Sequence, residues 1–114
     1  MNDQQSTQKT LKTGAANLQR GAETVGGHLT LTATQLSFVP HSLNIQTEPV
    51  KIALQSIKKI SLGSTMFLNV IPLFPNALIV EIDGVGYRFT VFARKKWEAA
   101  IRNTLNNLPA SLIS

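Results

Sequence analysis

The chain has 114 residues, a formal net charge of +5 and no cysteine. That length suits one domain rather than two, and the missing cysteine excludes disulfides and thiol chemistry and leaves zinc only histidine and carboxylate ligands. No apolar run opens the chain and none approaches the roughly 20 residues of a membrane-spanning helix, so neither a signal peptide nor a span is expected. The excess positive charge favours anionic partners (nucleic acid, anionic lipid or an acidic protein surface) without choosing among them.

Met1 to Thr13 is polar, rich in Gln and Thr and without periodicity, which predicts a flexible tail. Gly14 to Gln19 predicts a first short strand. The Gly26-Gly27 pair predicts a bulge, a bend or close backbone packing. Leu29 and Leu31 alternate within His28 to Thr34, and Leu36 to Pro40 follows as another strand. Thr34-Gln35 would be the turn between them, although it lacks the favoured Asn-Gly chemistry. Ser42 to Pro49 is a connecting loop. Val50, Ile52 and Leu54 alternate as a further strand, and Ile57 to Leu62 predicts the next, with Lys58 and Lys59 inside it. Ser64 to Pro75 is almost wholly apolar, yet Pro72 and Pro75 argue against a long central strand.

The stretch from Asn76 to Leu108 organises the whole. Leu78, Val80 and Ile82 alternate with polar neighbours, as in a strand buried on one face. Asp83-Gly84-Val85-Gly86 is a turn signal, and Tyr87, Phe89 and Val91 alternate again. From Arg94 the period changes: Trp97, Ala100, Ile101, Leu105 and Leu108 recur at steps of three and four and predict one helical stripe, stopped by Pro109. A narrow-striped helix of about four turns is not stable alone in water, so Trp97 must dock on the preceding strands. Six or seven short strands followed by one helix predict a mainly β, α+β domain: an antiparallel sheet or partly open barrel capped by a C-terminal helix.

These residues resemble the GRAM domain family. The likeness runs through Gly14-Ala15-Ala16-Asn17, Glu23-Thr24-Val25-Gly26-Gly27-His28-Leu29-Thr30-Leu31-Thr32, Leu36-Ser37-Phe38-Val39-Pro40-His41 and Asn44-Ile45-Gln46. It resumes at Ile57-Lys58, Pro75-Asn76-Ala77-Leu78 and Arg94-Lys95-Lys96-Trp97. Order and spacing carry it rather than any single piece, over about residues 14 to 105. His28 stands where the family often has lysine, Ala77 replaces a common glycine, and the apolar segment before Pro75 is longer than usual. The resemblance implies a small, stand-alone, bacterial-type member with the pleckstrin-homology-like fold, a curved sheet of about seven antiparallel strands closed by the C-terminal helix. The expected limits are a tail over 1–13, the domain over 14–108 and a short tail over 109–114.

Several groups of residues are candidates for function. Arg94, Lys95 and Lys96 place three cations at a helix start, where the macrodipole is already positive and exposed N–H groups attract anions. With Lys58 they form a candidate anion or lipid site; the alternative is a solvated basic face with Arg94 paired to a nearby acid. Lys58 and Lys59 in one strand would point to opposite faces, and such lysines also protect an edge strand. Met66, Phe67, Leu68 and Ile71 are a candidate apolar anchor for a membrane or partner; the alternative is a loop folded back over the core. His28 and His41 lack metal-binding spacing, so no metal is expected. Trp97 sits on the helical stripe and reads as core. There is no Gly-x-Ser-x-Gly elbow and no phosphate-cradling glycine loop, so neither catalysis nor a cofactor is implied.

The expected function is therefore a non-catalytic binding module that associates with membranes through anionic lipid, cytoplasmic and peripheral. The alternative is a protein-interaction or homo-oligomerisation module. Nucleic acid ranks below both, because the few aromatics fall at core positions and base stacking needs exposed ones.

Overall fold

Alternating apolar residues leave one face of a strand dry only if another face covers it, and here the sheet does this by curling onto itself. The structure, a computed structural model, describes residues 9–21, 23–41, 48–67 and 71–108, with the side chains of 65–67 and 71–75 excepted. The strands are β1 (Thr10–Arg20), β2 (Glu23–Thr32), β3 (Gln35–Pro40), β4 (Val50–Ala53), β5 (Lys59–Phe67), β6 (Ile71–Ile82) and β7 (Val85–Val91). A 3₁₀ turn at Leu54–Ser56 follows β4, and the helix α1 spans Arg94–Asn106. All strands pair antiparallel in one seven-stranded sheet of order β4-β3-β2-β1-β7-β6-β5.

The curl is measurable. Phe38 on β3 and Phe89 on β7 have ring centroids 5.8 Å apart, yet β2 and β1 lie between those strands. Three strand spacings of a flat sheet would separate them by roughly 14 Å. The inward residues of the two halves therefore share one core: Leu18, Leu29, Leu31, Leu36, Phe38, Ile52, Leu78, Val80 and Phe89 are all buried. The helix closes this core with Trp97 and Ile101, flanked by half-buried Ala100, Leu105 and Leu108. Trp97 is 3% exposed and rests over β1, where a Cβ on Gly14 would lie 3.6 Å from its Cζ2. Thr104, absent from the expected stripe, is also buried, its hydroxyl donating to the Ala100 carbonyl at 2.7 Å.

Seven strands and one terminal helix match the expected architecture; the departures are local. β1 begins at Thr10, inside the segment expected to be tail. Its polar threonines face those of β2: Thr10 pairs with Thr32 and Thr13 with Thr30, and the Thr13 hydroxyl bonds to the Leu29 carbonyl at 3.2 Å. β-Branched residues paired across strands sustain a sheet without an apolar alternation. The Gly26-Gly27 pair lies within β2, and it is the close-packing reading that holds. A Cβ at Gly27 would come within 2.3 Å of the Val39 carbonyl oxygen and 2.8 Å of Pro40 Cα. The β2–β3 turn closes through Thr32, whose hydroxyl accepts from the Thr34 N–H at 3.4 Å and donates to the Gln35 carbonyl at 3.3 Å, a local side-chain substitute for Asn-Gly. At the β6–β7 turn Asp83 and Gly84 both take positive φ, 23° and 79°, as two-residue hairpins of matching twist require.

Two further corrections bear on function. Lys58 lies ahead of β5 rather than within it, its N–H donating to the Glu81 carbonyl at 2.7 Å. The apolar segment expected as a loop is a hairpin arm: β5 runs to Phe67, β6 starts at Ile71, and Phe67 pairs with Ile71. The prolines fit because β6 pairs with β7 only from Ala77 onward. Pro72 and Pro75 thus stand where the β7 side of β6 needs no ladder donor. Leu68, the side chains of Met66, Phe67 and Ile71, and residues 42–47 of the expected loop lie outside the described residues.

Candidate functional site

β7 is short, and its end decides the geometry of this region. Its last pairings are Val91 with Ala16 of β1 and Thr90 with Ala77 of β6. Beyond that level β1 (toward Thr10) and β6 (toward Ile71) continue without β7 between them. Phe92 and Ala93 cross into this fork, and α1 starts there. Ala93 caps the helix in the left-handed region, φ 58° and ψ 56°, with no side-chain cap hydrogen bond. A non-glycine residue costs about 1–2 kcal/mol in that region. It accomplishes a reversal: the chain leaves a strand and enters a helix that turns back over the core within two residues.

The helix start is electrostatically uncompensated. No acidic residue occupies its first turn, whereas Arg94, Lys95 and Lys96 do. The three cations play different parts. Arg94 is half-buried, and its Nη1 donates to the Gly63 carbonyl of β5 at 2.6 Å. Lys95 and Lys96 are exposed. A depression of about 410 Å³ on the β6 side is bordered by Asn76, Arg94, Lys95 and Lys96. A second, of about 370 Å³, lies on the β1 side between Lys12, Phe92, Lys96 and Trp97. Lys96 borders both. Lys12 is half-buried, its Nζ 5.1 Å from the Trp97 ring centroid, a cation–π placement that leaves the ammonium at the rim of the groove.

The fate of the arginines explains which charges remain available. All four donate to backbone carbonyls: Arg20 to Glu48 at 3.4 Å, Arg88 to Ser64 at 2.8 Å, Arg94 to Gly63 at 2.6 Å and Arg102 to Ile60 at 2.9 Å. Three of those carbonyls belong to β5, an edge strand of the sheet, so arginine and helix together cover an edge that would otherwise invite pairing. Arg102 also holds Glu98 at 3.1 Å. Among the described residues no lysine side chain makes a hydrogen bond or an ion pair.

The structure brings Lys95 and Lys96 together beside Arg94 and adds Lys12, which lies in the segment expected as tail. It does not bring Lys58 to them. Lys59 pairs with Glu81 and Gly63 with Ala77, so roughly 13 Å of strand separates the Lys58–Lys59 pair from the carbonyl that holds Arg94. The hairpin arm carrying Met66, Phe67 and Ile71 extends β5 and β6 past the end of β7, on the helix-start end of the sheet. Phe92, 93% exposed at the border of the β1-side depression, is the residue that pattern reading passed over. The signal was present: Phe92 falls outside both the inward set Tyr87, Phe89, Val91 and the helical stripe. His28 and His41 meet edge to face at 5.7 Å; among the described residues no three metal-ligating side chains converge.

No protein-family model and no curated protein matches the sequence. Among solved structures the chain is similar to the C-terminal domain of an unknown protein from Leishmania infantum, 18% identical over 92% of this chain and 91% of that one, with a TM-score of 0.74. It is also similar to the Vps36 N-terminal PH domain (13% identical, 90% and 82% covered, TM-score 0.63) and to the Slm1 PH domain in complex with phosphoserine (13% identical, 83% and 91% covered, TM-score 0.56). The fold is thus pleckstrin-homology-like: seven antiparallel strands in one open, curved sheet with a single C-terminal helix. Among the described residues no helix is long and apolar enough to cross a membrane.

Proposed function

We propose that this chain is a non-catalytic binding module that docks on an anionic membrane surface from the cytoplasmic side, through the end of the sheet where α1 begins. Lys95 and Lys96 are the contacting cations, with Arg94 as the positioning residue between them and β5. One observation carries this reading: the arginines are spent on backbone carbonyls, while lysines without partners border a helix start that has no acid in its first turn. Such a site repels its own charges and gains when an anion neutralises them. The PH-like fold supports it, since a PH domain of this shape holds the phosphate-bearing ligand phosphoserine. We assign the chain to the GRAM branch of that fold on the residues from Gly14 to Trp97 that resemble it. The hairpin arm with Met66, Phe67 and Ile71 is assigned to the same membrane-facing end. Lys58, just ahead of β5 and away from the helix start, is left out of this contact set.

The test is co-sedimentation with vesicles of phosphatidylcholine alone and of phosphatidylcholine mixed with phosphatidylserine. The parent should bind the mixed vesicles selectively. An exposed cation near an anionic bilayer contributes roughly 1 kcal/mol, so Lys95→Glu with Lys96→Glu should weaken binding by tens of fold at about 0.1 M salt and less at high salt. A double variant that binds as well as the parent, or a parent that ignores anionic vesicles, overturns the proposal.

A further inference from the structure

Phe92 is the most exposed large apolar side chain among the described residues, at 93%; Leu11, Val39 and Val85 are about half exposed. Its position is imposed by the backbone. Val91 is buried on the inner face of β7, so Phe92, the next residue in the alternation, faces out. Ala93 then takes the left-handed conformation and swings the chain into α1, so neither sheet nor helix folds back over the ring. Lys12 and Lys96 border the groove beside it, and Lys95 stands on the adjacent turn of α1.

We infer that Phe92 is an insertion side chain, which enters the interfacial layer of an anionic bilayer while Lys12, Lys95 and Lys96 meet the headgroups. This rests on the anionic-surface reading above and adds the apolar component and a third lysine to it. Charge and shape both favour a bilayer over a folded partner. A stable protein interface buries roughly 800 Å² per side around an apolar centre depleted of lysine. Phe92 offers one ring, able to bury about 150–250 Å², with ammonium groups at its border that make no ion pair among the described residues. A bilayer interface supplies apolar and anionic layers without needing a complementary pocket, and basic residues beside an exposed aromatic match that layering.

The experiment uses the same two vesicle compositions with Phe92→Ala, Phe92→Leu and Phe92→Trp. Phe92→Ala should melt as the parent does, because the ring touches little, and should bind mixed vesicles roughly tenfold or more weakly. Phe92→Leu should retain most of the affinity. The added tryptophan of Phe92→Trp should shift its emission to the blue and be quenched by lipids brominated along the acyl chain, whereas buried Trp97 in the parent should not. If the parent binds mixed vesicles and Lys95→Glu with Lys96→Glu weakens it, but Phe92→Ala binds as the parent and Phe92→Trp is unquenched, insertion is overturned and the anionic reading survives. A parent that binds neither vesicle overturns both. In that case, a dimer in sedimentation that Phe92→Ala disperses would give the patch to a second copy of the chain.

Discussion

Trp97 shows how one side chain ties the helix to the first strand. It leaves α1 on the apolar stripe, lies over the Gly14 backbone of β1, and carries the Lys12 ammonium above its ring. At Gly14 the indole lies close to the strand, so that an added Cβ would just reach contact, 3.6 Å from Cζ2. At 3% exposure the indole buries most of its surface. Trp97→Ala should therefore destabilise the fold by about 3–5 kcal/mol, measurable as a lower urea midpoint at unchanged slope. A loss below about 0.5 kcal/mol, the scale of a neutral surface substitution, would mean that the helix does not dock through this residue. The contrast with Phe92, five residues earlier, is instructive. Both are large aromatics near the same junction; the strand-to-helix reversal at Ala93 sends one inward and leaves the other in solvent.

At the scale of elements, the β7–α1 junction combines backbone strain with uncompensated charge. An alanine caps the helix in the left-handed region without a side-chain hydrogen bond, and cations fill the first turn. Ala93→Gly removes the Cβ clash but adds chain entropy to the unfolded state, so the two effects partly cancel. The net expectation is a gain of about 0.5–1 kcal/mol in chemical denaturation, and a loss of stability would show that Ala93 makes compensating contacts. The other notable element is β5. It is an edge strand, yet Arg88, Arg94 and Arg102 occupy the carbonyls of Ser64, Gly63 and Ile60. Gly63 makes room for this arrangement: a Cβ there would come within 2.9 Å of the Arg88 Nη1.

For the whole molecule, stability and the proposed binding pull in opposite directions. Replacing Lys95 and Lys96 by glutamate places acids at the positive end of α1 and lowers a net charge of +5. Glu98, one turn on, offsets part of that gain by repulsion. The double variant should be more stable by about 0.5–1 kcal/mol in sum at low salt, while losing affinity for anionic vesicles. Thermal melts and vesicle binding on the same preparation check both halves. A variant that is less stable and binds less would point to a structural role for the lysines instead. Opposed signs are what a functional charge cluster predicts, since it is kept at a cost to the fold.

The sequence by itself determined the elements with strong periodicity. Leu78, Val80 and Ile82, then Tyr87, Phe89 and Val91, alternate cleanly; Trp97, Ala100, Ile101, Leu105 and Leu108 step by three and four; Asp83-Gly84 permits only a tight turn. Each is a local signal, because a half-buried strand or helix writes its period into consecutive residues. From these came the last two strands, the terminal helix and the burial of Trp97. Tertiary structure decided what depends on residues far apart in the chain. The threonines of β1 carry no apolar period, and only their pairing with Thr30 and Thr32 makes Thr10 to Thr13 a strand. Arg94, Lys95 and Lys96 look alike in a row, and only the position of the Gly63 carbonyl separates the anchored arginine from the exposed lysines. Lys12 reaches the site, and Lys58 does not, because β1 runs beneath the helix start while Lys58 meets β6 at Glu81, strand residues away from it. Phe92 is left in water because β7 ends at Val91 and the chain reverses at Ala93, a geometry set by where β1 and β6 part rather than by any residue type near Phe92.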